Sequence, residues 1–158
     1  MAETRFIIFR VAGSDYSFEL SYVNGIEENY NVVGIPNCPE NIKGIINLRG
    51  VAIPVYSLRS RFGEPEEKGP KKLVLARIRE MTIGFEVDSI VRIEDVDVHN
   101  ILAVPVVVKT EDTSYMNCII NTSDGIVINL SVRHLLTDES FSDITELLNK
   151  QNEGEEND

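Results

Sequence analysis

Apolar and polar positions alternate over short runs along most of this chain, with turn-forming residues between them. Phe6 to Val11 is β-rich, Gly13-Ser14-Asp15 supplies turn chemistry, and Tyr16 to Leu20 alternates as a half-buried strand does, so the chain opens on a hairpin. Val23 and Ile26 continue the apolar spacing, and Ile35 to Pro39, where two prolines bracket Asn37-Cys38, reads as an extended loop. The most informative stretch runs from Ile42 to Gly63. Gly50 takes φ > 0 without steric penalty, which folds Ile45–Leu48 and Val51–Leu58 into two strands about Arg49-Gly50 and lifts Arg49 to the tip of the turn. Pro54 lacks a backbone donor, and this predicts an edge strand or a bulge at that point, where another chain can dock.

Glu64 to Lys72 concentrates prolines, a glycine and charges, and reads as an exposed connection between two halves. The second half repeats the first. Phe18-Glu19-Leu20 with Val23 and Ile26 matches Phe85-Glu86-Val87 with Ile90 and Ile93, 67 positions later; Ile45-Ile46-Asn47 is answered by Ile119-Ile120-Asn121, and Gly50 to Ile53 by Gly125 to Ile128. Strands this short, with little helix between them, must close into small barrels or sandwiches to cover their edges, so two linked barrels are expected. Helix signals come late: Ser131 caps a turn through Leu136, and Ser142 caps a segment that puts Ile144, Leu147 and Leu148 on one face.

Composition narrows the function classes. At 42% hydrophobic residues the 158-residue chain can bury a core, and its longest apolar runs fall well short of the roughly 20 residues a membrane span needs; with no signal peptide before Phe6, the cytosol is the expected compartment. A net charge of −11 repels phosphate backbones and argues against nucleic acid. Part of that charge lies in Glu153 to Asp158, a composition expected to be disordered. Cys38 and Cys118 lack metal-ligand spacing and read as reduced, buried thiols.

Catalytic chemistry is hard to find. His99 and His134 sit beside no nucleophile, and Glu94, Asp95, Asp97 and His99 lack the glycine and spaced oxygens of a calcium loop. Gly44 to Gly50 is followed by a strand and contains no Lys-Ser or Lys-Thr, so it is no phosphate loop. Asn121-Thr122-Ser123 matches a glycosylation sequon but reads more simply as a turn. Neither cofactor nor metal is expected. Arg49 has two readings: a solvated turn residue, or an interface anchor using the directional hydrogen bonds of its planar fork.

Gly44-Ile45-Ile46-Asn47-Leu48-Arg49-Gly50, then Ile53-Pro54-Val55 and Leu58-Arg59, preceded by Ile35-Pro36 and followed by Phe62-Gly63, resembles the core motif of the CheW family of bacterial chemotaxis coupling proteins. The likeness continues through Gly84-Phe85-Glu86-Val87-Asp88 and Asp124-Gly125 to Leu135-Leu136. It implies an all-β fold of two small five-stranded SH3-like barrels on a shared hydrophobic seam, with short C-terminal helices. The domain spans 1–152, with approximate halves 5–66 and 67–150 that can exchange strands, followed by the acidic tail 153–158. It further implies a non-catalytic adaptor joining chemoreceptor cytoplasmic tips to the regulatory domain of the histidine kinase CheA, a cytoplasmic protein recruited to membrane-associated receptor arrays without inserting into the membrane. Gly44, Asn47, Arg49 and Gly50, with Val74 peripheral to them, match positions associated with receptor docking. Ile7, Leu20 and Val23 match apolar positions that meet the kinase, although alternating strands also carry such residues simply as core. Ser57 and Ser131 stand where the family commonly has acids, and Gly25 where a larger residue is common, which bears on contact strength and on tuning to a particular receptor set. The rival readings are a CheW-like adaptor in a kinase array with another output, and a small β-barrel enzyme or ligand-binding protein, which would need converging polar groups in a pocket.

Overall fold

The computed structural model describes residues 3–110, 113–136 and 142–149, and the tail expected at 153–158 lies outside them. Strands β1 (Glu3–Val11), β2 (Ser14–Glu19), β3 (Val23–Glu27), β4 (Ile42–Leu48) and β5 (Val51–Ser57) precede helix α1 (Leu58–Arg61). Then come β6 (Lys72–Ile78), β7 (Met81–Val87), β8 (Ser89–Asp97), the two-residue β9 (Ile101–Leu102), β10 (Met116–Thr122), β11 (Gly125–Leu130) and α2 (Val132–Leu135). Residues 142–149 form a further helix, α3, with Ile144 and Leu147 buried as the apolar spacing predicts.

The strands build two sheets, in the orders β8-β1-β2-β11-β10-β9 and β3-β6-β7-β5-β4. Relating β1, β2, β3, β4 and β5 to β6, β7, β8, β10 and β11 by the sequence repeat turns one order into the other, with β9 as an addition to the first sheet. In each sheet a hairpin from one repeat joins three strands of the other: β5 pairs parallel with β7, and β11 parallel with β2. The five-stranded sheet is thus built wholly from residues 23–87, and the six-stranded sheet from the segments on either side. The Glu64 to Lys72 loop connects α1 to β6 inside one sheet, and the crossings between sheets are the 3-10 turn Leu20–Tyr22 and the single residue Asp88. The all-β, two-unit SH3-like architecture is present, but hydrogen bonding in each sheet runs from edge to edge rather than around a closed ring.

The arrangement follows from two strands that are apolar on both faces. Along β1, Phe6 and Ile8 point into the core of the first sheet with Ile120 and Val127, while Ile7, Phe9 and Val11 point into a central seam. Along β6, Leu73 and Leu75 fill the core of the second sheet with Ile46 and Ile53, while Val74, Ala76 and Ile78 face the same seam. Strands buried on both faces read as continuous apolar runs, and they hold the two units together. Phe18 and Phe85, counterparts in the repeat, meet edge to face across the seam at 5.1 Å, flanked by Phe9 and Tyr56. The Tyr56 hydroxyl donates to the Leu135 carbonyl (2.9 Å), fastening α2 over the seam.

Pro54 is accommodated differently from the predicted edge or bulge, since β5 lies between β4 and β7 and the bulge in β4, between Ile42 and Gly44, falls opposite Tyr56 and Val55, beside Pro54 rather than at it. Pro54 stands opposite Ile45, whose amide and carbonyl are both engaged with Val33 on the other side, and pairing with β7 begins only at Val55. No strand there requires the missing donor.

Candidate functional site

The β4–β5 hairpin closes on the pair Leu48 and Val51 through the two residues Arg49 (φ 51°) and Gly50 (φ 84°). Two positive φ values make this a tight hairpin turn whose twist matches its strands. The Asn47 side-chain oxygen accepts from the Gly50 amide (2.9 Å), which locks the turn. Arg49 stands exposed with no side-chain partner among the described residues, so its guanidinium is available to an incoming group. Val51, next along the chain, is 57% exposed.

The structure therefore brings Asn47, Arg49 and Gly50 into one turn but separates them from two residues expected beside them. Gly44 is buried in β4, and Val74 is fully buried in the seam, so Val74 cannot touch a partner. The apolar set divides in the same way. Ile7 is fully buried among Phe9, Phe18 and Val74 and belongs to the core, its place as the repeat counterpart of Val74 accounting for both. Leu20 and Val23 are only half-buried, at the first crossing between the sheets. Tyr22, in the turn before the edge strand β3, and Ile26, on it, are exposed apolar residues that the alternation pattern alone had not marked as surface, and a bulge between Val23 and Gly25 shifts the register of β3 against β6 between them. In the five-stranded sheet β3 and β4 are the two edges, so the Leu20–Val23 flank and the Arg49 turn lie on opposite sides of one sheet.

Two charged clusters brace this frame. Glu86, buried in β7, accepts from the Tyr30 hydroxyl (2.7 Å) and from Lys43 Nζ (2.8 Å). Partial burial and that hydrogen bond both push the Tyr30 hydroxyl far above its ordinary value, so it remains a donor. Burial pulls the Lys43 ammonium down, but the Glu86 carboxylate outweighs it and leaves the pKa raised. The second cluster centres on Asp88, which receives Arg59, Lys71 and the Ala12 amide. Partial burial by itself would raise the Asp88 carboxyl, but the Arg59, Lys71 and Ala12 hydrogen bonds prevail and hold it well below the usual carboxylate range.

Of the two serines that precede helices, only Ser57 caps with its side chain, its hydroxyl accepting from the Ser60 amide (3.1 Å) at the start of α1. Ser131 precedes α2 but, contrary to the expected cap, its hydroxyl makes no bond to a helix amide and pairs with the His134 ring nitrogen instead (2.7 Å). His99 is occupied by Asp97 (2.6 Å). Among the described residues no three His, Cys, Asp or Glu side chains converge as a metal site. Cys38 and Cys118 are free and half-buried, and burial raises the Cys118 thiol. No helix among the described residues is long and apolar enough to cross a membrane.

The chain matches the family model described as CheW-like domain over residues 5–140. It is 25% identical over 139 residues to the chemotaxis protein CheW of Klebsiella aerogenes, covering 87% of this chain and 84% of that one. It is 32% identical over 87 residues to the chemotaxis protein CheW of Bacillus subtilis, covering 54% and 56%. Among solved structures, the scaffolding protein TtCheW from Thermoanaerobacter tengcongensis superimposes with a TM-score of 0.80 at 28% identity, covering 88% of this chain and 96% of that one.

Proposed function

Because the chain belongs to the family of CheW-like domains, we propose that it is a non-catalytic chemotaxis scaffold that couples chemoreceptor cytoplasmic tips to the histidine kinase CheA. The observation that carries this reading is the placement of two dissimilar surfaces on opposite edges of one sheet. One is the turn of Asn47, Arg49 and Gly50, which offers a guanidinium and meets the receptor. The other is the half-buried apolar flank of Leu20 and Val23, which meets the kinase regulatory domain. Between them lie three strands, β6, β7 and β5, whose inward residues are buried. A stiff body with two separate faces holds receptor and kinase at high effective concentration and passes rigid-body displacement from one to the other without chemistry of its own. It works at the cytoplasmic side of receptor arrays.

Recovery of the chain from native cytosol tests the reading: kinase and receptors captured together support it, and recovery of neither overturns it. The kinase flank has its own test. Val23→Asp places a charge on a half-buried edge position and is expected to weaken binding of the kinase regulatory domain at least tenfold while receptor binding stays within about twofold. Circular dichroism that shows a loss of folded structure in this variant would instead assign Val23 to the core.

A further inference from the structure

Between β3 and β4 the chain runs back along the outer side of β4, and three fastenings hold this strap. Val33 exchanges both backbone hydrogen bonds with Ile45, at 2.9 and 3.0 Å. Tyr30 is bonded to the buried Glu86, and Tyr30 and Val32 pack on the core of the five-stranded sheet. The third fastening is an absence of side chain. A Cβ on Gly44 would lie 2.2 Å from the Val33 carbonyl oxygen and 2.8 Å from its carbon, so residue 44 is glycine because the strap backbone rests against it. Backbone cannot yield as the end of a flexible side chain does, and any substitution there must push the strap away from β4.

The strap sets one exposed side chain. Directly opposed residues of an antiparallel pair share a face, as do residues two apart on a strand, so Val33, Ile45 and Asn47 lie on one face. Ile45 is covered, whereas Val33 is 56% exposed and Asn47 is exposed beside the Arg49 turn. We propose that the strap is part of the receptor-docking surface: Val33 is a direct contact for the receptor tip, and Gly44, with the Tyr30–Glu86 bond, consists of positioning residues that hold Val33 in register with Asn47 and Arg49. The complementary tip then presents a carboxylate to Arg49 and an apolar side chain to Val33. This inference rests on the reading of the hairpin as the receptor site, and it replaces direct contact by Gly44, which is buried, with an action through the strap.

A purified cytoplasmic-tip fragment of a chemoreceptor and the kinase regulatory domain, each titrated against full-chain variants, test it alongside amide hydrogen exchange. Val33→Asp is expected to weaken receptor-tip binding roughly tenfold, leave kinase binding unchanged and leave the Ile45 amide protected. Gly44→Ala is expected to weaken receptor-tip binding by a similar factor, again with kinase binding kept, while exchange at the Val33 and Ile45 amides accelerates. A merely structural role for Gly44 would lower both affinities together, and that result would overturn the positioning role. Wild-type receptor affinity in Val33→Asp would overturn the strap contact. If Arg49→Asp loses the receptor tip and Val33→Asp does not, only the strap inference fails; if Arg49→Asp itself binds the tip normally, the hairpin reading fails first.

Discussion

Arg59→Ala is expected to destabilise the fold by about 3 kcal/mol. Arg59 leaves α1 only 7% exposed and grips Asp88 with two parallel bonds, Nε to Oδ1 at 2.9 Å and Nη2 to Oδ2 at 2.6 Å, while Nη1 donates to the Pro65 carbonyl at 2.8 Å. Asp88 is the single residue through which the chain passes from β7 in one sheet to β8 in the other, and it also takes the Ala12 amide of the β1–β2 turn and Lys71 at the entry to β6. One carboxylate thus ties four segments at the crossing. Removing the guanidinium leaves a largely covered acid held only by Lys71 and the Ala12 amide, with two of its hydrogen bonds lost, and breaking a buried pair from one side is more costly than having no pair at all. Arg59→Lys should recover little, because an ammonium cannot reproduce the two-pronged geometry. Urea unfolding checks this: a lower midpoint at unchanged slope is expected, and a loss below about 1 kcal/mol would mean that the cluster behaves as an exposed ion pair. The same cluster gives a pH dependence of definite sign. The folded Asp88 carboxyl titrates below its unfolded value, so its contribution is complete above about pH 4 and is lost as pH falls through the folded value. Asp88→Asn should be less stable at neutral pH and show a flatter decline in the acid range.

Arg49→Asp is expected to weaken receptor-tip binding by about 3 kcal/mol, on the order of a hundredfold, with stability changed by less than about 0.5 kcal/mol. The two halves of that expectation have separate grounds. Folding survives because the side chain is exposed and has no partner among the described residues, and because aspartate is among the residues that tolerate the left-handed backbone the turn imposes at φ 51°. Binding suffers because the free guanidinium is replaced by a charge of the opposite sign, which repels the carboxylate it would have met. Calorimetric titration of a receptor cytoplasmic fragment decides it, and equal affinity for variant and wild type would remove Arg49 from the interface.

Much of this was legible before any coordinates. The strand runs, the repeat 67 residues apart, the hairpin at Arg49-Gly50 and the apolar face of Ile144 and Leu147 are consequences of local rules: side-chain periodicity, the freedom of glycine, the chemistry of turns. Less legible was the difference between Ile7 and Val23, or between Val74 and Val33. All four are apolar residues on β-like segments, yet the first and third are fully buried and the fourth is more than half exposed. Burial depends on what lies opposite a strand, and β1 and β6 are covered on both faces only because each sheet borrows a hairpin from the other repeat. Pro54 illustrates the same limit: its missing donor pointed to an edge strand or a bulge, whereas β5 is interior, the bulge of its partner β4 falls opposite Val55 and Tyr56, and neighbouring strands simply leave the Pro54 position unpaired.

By itself the sequence determined the all-β class, the duplication, the motif that places the chain in its family and the exposed arginine at a turn, because each depends on residues close together in the chain. Only the tertiary structure decided which strands exchange between sheets, that Asp88 is the tied crossing point, that Gly44 is glycine because of the Val33 backbone, and that the Arg49 turn and the Leu20–Val23 flank occupy opposite edges. Those facts arise from contacts between segments distant in sequence, formed when two continuous apolar strands bury both faces at once, and no local pattern specifies the neighbour that covers them.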